Sequence, residues 1–386
     1  MHQAAIIGCG SIATAHAYGI AKVDGVELAG LADIRLDAAT ALGARFGLEP
    51  AACFEDYRAM LDSVRPDVVF VAVWHGQHAE ATIAAASRGA RLIVCEKPMA
   101  TCLGEAEQMM VACRREGTKL AIAHQRRFFP GWAVARTMIA AGAIGDPVHA
   151  VLRVRDGLLN SATHSIDLLR FVLGDPEARR VTATVQRRTD RHERGLRAED
   201  SALALLEFDG GVRCFVESDL GAPHVSANAL IAGDDGMMSI EENHVRVMNS
   251  DATGWQTVAG APFGTDDDSV VPDDLARPLY DLVAHFGTAN IEPFVQNYVE
   301  QVRESIDWLD GRTDDHRGSA EQGYRTLELL MSIYESARRR ETVDIPLETR
   351  VHPLDLLVES GDLPVTRPGR YDIRAALVRG ERMSWS

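Results

Sequence analysis

Three short stretches of this chain carry residue types and spacings that do chemistry. Gly8-Cys9-Gly10-Ser11-Ile12-Ala13 fits G-x-G-x-x-A directly after an apolar run and at the opening of an Ala-rich stretch, the context a dinucleotide fingerprint requires. Gly8 allows the tight turn, Gly10 lets backbone approach a pyrophosphate, and Ala13 keeps helix and strand close. Ser11 and Ile12 fill the first helical turn, whose N–H groups face the negative charge. Twenty residues past Ala13, a second apolar run ends in Ala32-Asp33, where a carboxylate accepts hydrogen bonds from ribose hydroxyls. Asp33 argues for NAD over NADP, because it would sit against the extra 2′-phosphate with like charge; Arg35 nearby softens that preference and keeps NADP possible. A fifth run ends in Cys95-Glu96-Lys97-Pro98, so a Glu and a Lys emerge at the carboxyl edge of a sheet. A surface ion pair is one reading. Pro98 favours another, holding Lys97 extended and aiming its ammonium, where it can hydrogen-bond a substrate hydroxyl and help move its proton.

These residues need a scaffold, and the pattern supplies one. From residue 3 to about 124, the runs Gln3–Ile7, Glu27–Ala32, Val68–Val73, Arg91–Cys95 and Lys119–Ala123, with a weaker one at Ala52–Phe54, alternate with helical stretches such as Leu36–Phe46, His78–Arg88 and Gly104–Glu116. That is the pattern of βαβ units, and six strands make one doubly wound Rossmann sheet. After Pro130 come a helix to about Ala141, a strand over Pro147–Arg155 and a helix from Ala162 to Leu173. From Ala178 to Val258 strands follow one another through turn dipeptides, and Pro293–Asp310 and Ser319–Arg340 return to helical periodicity. The expected architecture is α/β followed by α+β: a Rossmann domain over 1–124, then over 125–345 an open-faced, mostly antiparallel sheet domain covered by helices on one face. A tail over 346–386 has few periodic features. A sheet face left open is a candidate homo-oligomer contact.

Composition narrows the function classes. The 386 residues carry 40 Lys plus Arg against 56 Asp plus Glu, a net −16, and that sign repels nucleic acid. The longest apolar run, Val68–Trp74, falls far short of the roughly 20 residues that span a membrane. The N-terminus has no basic n-region, so it reads as a first strand rather than a signal peptide, and the protein as cytoplasmic. The six cysteines form no C-x-x-C pair, and Cys95, Cys102 and Cys113 match no common zinc spacing, so no metal is expected.

The fingerprint, the strand-end Asp, the E-K-P triplet and a later motif together resemble the glucose–fructose oxidoreductase, inositol dehydrogenase and MocA (Gfo/Idh/MocA) family over residues 3 to 345. The family's D-x-G-x-H-x-x-D motif stands here as Asn160-Ser161-Ala162-Thr163-His164-Ser165-Ile166-Asp167, with Asn160 in place of the first aspartate. The resemblance implies NAD(P) chemistry on sugars or cyclitols, with Lys97 and His164 as the acid–base pair, His164 being the first choice of proton acceptor, and Glu96 beside the cofactor. Where the family has Pro-Asn before a His, this chain has Trp74-His75-Gly76-Gln77-His78. His78 keeps the helix-start position, Trp74 and His75 would face the cofactor or substrate, and Trp74 either stacks on a sugar face or packs. His124-Gln125-Arg126-Arg127-Phe128 resembles the family's Arg-containing hinge, and Arg127 with Arg153 and Arg155 is a candidate for an acidic substrate group. Alternation sends Arg153 and Arg155 together, either to the pocket or to solvent.

From the residues alone, His164 shares a helical stripe with Asp167, Leu168 and Phe171 and fits a satisfied core histidine better than a site histidine. Asn160, four residues earlier, lies one turn along the same face; it cannot take up a proton but can position a sugar hydroxyl. The reading is an NAD-dependent oxidoreductase moving a hydride between a secondary alcohol of a pyranose, glycoside or cyclitol and nicotinamide. The alternatives are a redox-neutral, NAD-assisted elimination or glycosidic cleavage through a transient keto-sugar, and a non-catalytic NAD-binding sugar regulator.

Overall fold

The alternation of β-branched runs with Ala-rich stretches becomes a six-stranded parallel sheet threaded by helices. The structure, a computed structural model, describes residues 1–220, 228–241, 244–251, 253–258 and 291–367; the segment 259–290 of the expected second domain and the tail beyond 367 lie outside the described residues. In chain order come β1 (His2–Ile7), α1 (Ser11–Ala21), β2 (Val26–Ala32), α2 (Leu36–Arg45), β3 (Cys53–Phe54), α3 (Tyr57–Val64), β4 (Val68–Val71), α4 (His78–Ala86), β5 (Leu92–Glu96), α5 (Leu103–Glu116) and β6 (Lys119–Ala123). The strand order is β3-β2-β1-β4-β5-β6, so the direction of winding reverses between β1 and β4, the place where doubly wound sheets hold ligands. The strand centres are buried on both faces, as β-branched runs between helices must be. Helix α3 is an element that the apolar pattern did not single out; Asp56 caps it by accepting from the Arg58 amide at 2.8 Å.

Residues 130 onward build a second sheet. Helix α6 (Pro130–Ala140) leads to β7 (Pro147–Val154), α7 (Thr163–Val172), β8 (Ala178–Gln186), the short pair β9 (His192–Glu193) and β10 (Leu196–Arg197), β11 (Ser201–Phe208), β12 (Arg213–Ser218), β13 (Asn228–Gly233), β14 (Gly236–Glu241), β15 (His244–Asn249) and β16 (Gln256–Val258). Helix α8 (Ile291–Leu309), helix α9 (Ala320–Arg339), β17 (Val343–Asp344) and helix α10 (Pro353–Glu359) complete the described chain. The order β16-β15-β14-β13-β7-β12-β11-β8-β17 is antiparallel except for the parallel β7–β12 pair. Burial alternates along the strands: Ala202, Ala204, Leu206 and Phe208 of β11 are buried under the helices, while Leu203, Leu205 and Glu207 face away. Helix α6 lies over β14 and β15, and α7 over β7.

The chain divides into two compact units: residues 1–100, 105–129 and the described part of 262–323, and then 101–104, 130–261 and 324–386 as far as described. Helix α8 therefore belongs to the first unit, although the sequence places it in the second domain. Its reason is local: Gly19 of α1 leaves so little room that a Cβ there would stand 2.9 Å from the Tyr298 carbonyl oxygen, and Tyr18, Val295, Tyr298 and Val299 close over the contact. In the second unit the tail is more regular than its composition suggests, with α10 burying Leu354 and Leu357. No helix among the described residues is long and apolar enough to cross a membrane.

Candidate functional site

The turn after β1 is shaped by what glycine lacks. Gly8 holds φ +93°, and a Cβ there would meet the Ala72 carbonyl oxygen at 2.6 Å, so a side chain is excluded by both backbone and space. The Cys9 amide donates to Asp33 Oδ2 at 2.7 Å and the Arg35 amide to Asp33 Oδ1 at 2.9 Å, so the half-buried carboxylate ties the turn to the end of β2. Burial and then the nearby Asp33 push the Cys9 thiol up to about 12. Helix α1 starts with no side-chain cap and no acidic residue in its first turn, and a Cβ on Gly10 would meet nothing within 4 Å. Its first amides are thus left for an anion at the positive end of the helix. Gly8, Gly10, Ser11, Ile12, Ala13 and Asp33 fit a dinucleotide; Arg35 stands exposed beside them.

At the carboxyl end of β5 the Glu96 side chain is buried, and Lys97 is half-buried. Glu96 Oε2 accepts the Lys97 amide at 3.2 Å, and Oε1 accepts from His16 Nε2 at 3.0 Å. Burial would raise the Glu96 carboxyl; the hydrogen bond from His16 and the positive charges of His16, Lys97 and His78 outweigh it and hold the group below the ordinary carboxylate range. The Lys97–Pro98 peptide is cis.

The expected cofactor residues His75 and His78 are both buried at the carboxyl end of β4. His78 is fully buried, with Nδ1 2.8 Å from the Pro98 carbonyl oxygen and Nε2 3.1 Å from that of Val73. Carbonyls only accept, so the ring's N–H donates to one of them and the ring lies between the loop after β4 and the loop after β5. His75 is buried and packs edge-on against it, ring centroids 5.7 Å apart. Trp74, half-buried, caps the short turn His75–Gln77. Arg127 is fully buried, and its Nη1 donates to the Arg317 carbonyl at 2.9 Å, which ties the end of this segment to the chain near residue 317.

In the second unit, His164 and every other residue of α7 are buried, so the expected single stripe widens to the whole helix circumference. Asp167 Oδ1 accepts from the Thr326 hydroxyl at 3.0 Å, and that hydroxyl accepts from Arg170 Nη1 at 3.1 Å. Asn160 does not lie one α-turn before His164: Leu158–Ala162 is a π-helical turn, with the Ala162 amide reaching back to the Gly157 carbonyl, which changes the angular spacing. The turn is held from outside. Glu199 Oε1 accepts the Leu158 amide at 2.7 Å while Oε2 accepts the Tyr334 hydroxyl at 2.5 Å. Asp219 accepts the Asp156 and Gly157 amides at 2.8 and 2.9 Å. Asn160 Oδ1 accepts from Arg194 Nη1 at 2.9 Å; because arginine only donates, the amide nitrogen of Asn160 must point away from it. Arg153 is exposed on the sheet face opposite the helices, paired with Glu217 at 3.3 Å, and Arg155, just past β7, stands 3.6 Å from Asp156.

Sequence reasoning missed His16, Arg194 and Glu199. The one available signal for Arg194 was the Arg194-Gly195 dipeptide between β9 and β10, both residues at positive φ. A histidine within an Ala-rich helix was the corresponding signal for His16.

Known proteins resemble this chain over most of its length. The chain is 25% identical over 366 residues to D-apiose dehydrogenase of Paraburkholderia graminis, covering 89% of each chain. It is 26% identical over 373 residues to D-glucoside 3-dehydrogenase of Escherichia coli K12, covering 89% of this chain and 97% of the relative. A solved levoglucosan dehydrogenase in complex with NADH and levoglucosan superposes with a TM-score of 0.73 at 21% identity, over 90% of this chain and 99% of that one, which shows a shared fold. Residues 2–124 match the NAD-binding Rossmann fold of one oxidoreductase family and residues 137–345 match its C-terminal alpha/beta domain. Two matches in this order, one for each sheet, make the chain a member of the Gfo/Idh/MocA oxidoreductase family, with NAD as the cofactor of its Rossmann fold.

Proposed function

We propose that this protein is an NAD-dependent dehydrogenase acting on a secondary alcohol of a sugar, glycoside or cyclitol. NAD bound at the β1 turn supplies the hydride acceptor. The carrying observation is the placement of Lys97 at the carboxyl end of β5, backed by a buried, ionised Glu96, on the same sheet edge as the Gly8 turn. In oxidation the carbinol C–H leaves as hydride while the Lys97 amine takes the hydroxyl proton; in reduction the ammonium returns it. The family resemblance makes His164 a second candidate for proton handling, and Asn160, whose Oδ1 accepts from Arg194, a candidate for a sugar hydroxyl. The relatives named for apiose and glucoside oxidation support this substrate class.

The face of the second sheet opposite its helices supports self-association. Leu205, Phe215, Val151 and Leu230 stand side by side in one cross-strand row, flanked by the Arg153–Glu217 and Arg180–Glu207 pairs. A solvent-facing apolar row ringed by charge suits a second copy of the same face.

The test is the near-ultraviolet absorbance of reduced nicotinamide when protein and NAD meet hexoses, glycosides, uronates and inositols. Lys97→Met should lower turnover by about a hundredfold or more while NAD affinity changes little. Near-normal turnover would remove Lys97 from proton transfer. Substrate loss without reduced cofactor would replace this reading with a redox-neutral reaction, and no consumption across the panel would favour a regulator.

A further inference from the structure

His16 sits on the second turn of α1, fully buried, and neither the dinucleotide turn nor the sugar reading uses it. Its ring is edge-on to Tyr298 at 5.0 Å and 5.2 Å from Phe70, so it cannot swing aside without moving two aromatic side chains. Gly19, three residues on, is what lets α8 bring Tyr298 this close. The ring is therefore fixed with Nε2 on Glu96, whose other oxygen takes the Lys97 amide. The groups facing that carboxylate are His16 from α1, Lys97 from the end of β5, His78 from α4 and Tyr298 from α8, with Arg126 also acting on Tyr298.

Composition adds an independent observation. Of the 40 basic side chains only Lys22, Lys97 and Lys119 are lysines; the rest are arginines. Arginine stays charged at any working pH, whereas a lysine gives up its proton when its surroundings require it. In a chain that meets nearly all of its need for cations with arginine, the lysine at the carboxyl end of β5 is the residue type suited to a removable proton.

We infer that His16 is a positioning residue for Lys97: by donating to Glu96 it keeps a carboxylate ionised beside the lysine, and this anion sets the ammonium's proton affinity. Two effects oppose each other at Lys97. Partial burial disfavours its charge, and the adjacent carboxylate favours it. Without the His16 donor the buried Glu96 keeps only the Lys97 amide and the charges of Lys97 and His78, so it takes up a proton more readily, the counter-charge weakens, and Lys97 releases its proton at lower pH. The inference takes from the proposed function only the use of Lys97 in proton transfer; the linkage itself is a property of the free protein.

Reductive methylation with 13C-formaldehyde labels the three lysines and the N-terminus of the full chain, and NMR follows each amine through its titration, with Lys97→Arg assigning the Lys97 signal. Glu96→Gln and His16→Phe should each lower the Lys97 midpoint by about one pH unit or more. His16→Gln, whose amide still donates to Glu96, should stay near wild type, and Lys22 and Lys119 should not move. His16→Leu, smaller than histidine, gives the same reading free of overpacking. An unmoved Lys97 midpoint in folded Glu96→Gln overturns the linkage, and a shift there without one in the folded His16→Phe or His16→Leu protein overturns the role of His16. With a sugar substrate, the pH–rate profile should move with the midpoint. If no sugar is oxidised, the titration still reads the linkage, so the two ideas fail separately.

Discussion

The Asp33 carboxylate is engaged by its own backbone before it meets any ligand, with one oxygen on Cys9 and the other on Arg35. Asp33→Ala therefore removes both a ribose acceptor and the tie that shapes the fingerprint turn. We expect NAD to bind about tenfold more weakly, the value of one or two hydrogen bonds, and the preference for NAD over NADP to narrow; equilibrium titration with both cofactors checks this, and an unchanged ratio would place the ribose contact elsewhere. Arg194 works in a similar way on Asn160. Arg194→Ala removes the donor that orients the Asn160 amide, so the sugar KM should rise about five- to tenfold with a smaller change in kcat. A kcat loss of the same size with KM untouched would contradict a positioning role.

At the scale of elements, close approach and buried polarity decide stability. In Gly19→Ala the new methyl would press on a backbone carbonyl of α8 at 2.9 Å, and backbone yields less readily than a flexible side chain. We expect a loss of about 1–3 kcal/mol by denaturant unfolding, with the His16 to Tyr298 packing disturbed as α8 shifts. The segment after α8 depends on His316, which is fully buried: Nδ1 accepts the Gly318 amide at 3.0 Å, so Nε2–H donates to Ser305 Oγ, 3.1 Å away. Burial first, then the charge of Arg317, lower this imidazole from 6.5 to about 3. Above pH 6.5 folded and unfolded chains both carry it neutral. Below that value only the unfolded chain takes the proton, so stability should fall from pH 6.5 toward 3. Unfolding midpoints at successive pH values should show this slope, and His316→Gln should flatten it; an equal slope in the variant would assign the acid sensitivity to other groups.

At the scale of the whole molecule, the row Leu205, Phe215, Val151 and Leu230 should hold copies together. Phe215→Glu is expected to reduce the mass seen by light scattering to one 42.0 kDa chain; a wild type already at that mass would end the proposal. Much of the architecture was legible in the sequence because its causes are local. The runs ending at Ile7, Ala32 and Cys95 alternate with helices within a few turns of chain, the Gly8 turn depends on its own backbone and the close approach of Ala72, and Pro98 follows Lys97 directly. The arrangement around those residues was not legible, because it joins positions far apart in the chain: His16 to Glu96 across 80 residues, Leu158 to Glu199 across 41, Asn160 to Arg194 across 34. The π-helical turn moved Asn160 off the face that α-helical spacing assigned to it, and the close approach at Gly19 placed α8 on the first unit. By itself the sequence determined the strand order's local units, the dinucleotide turn and the lysine at the sheet edge. Only the tertiary structure decided which buried partners hold the Glu96 and Asn160 side chains, since a polar group taken from water must find a partner wherever packing places one.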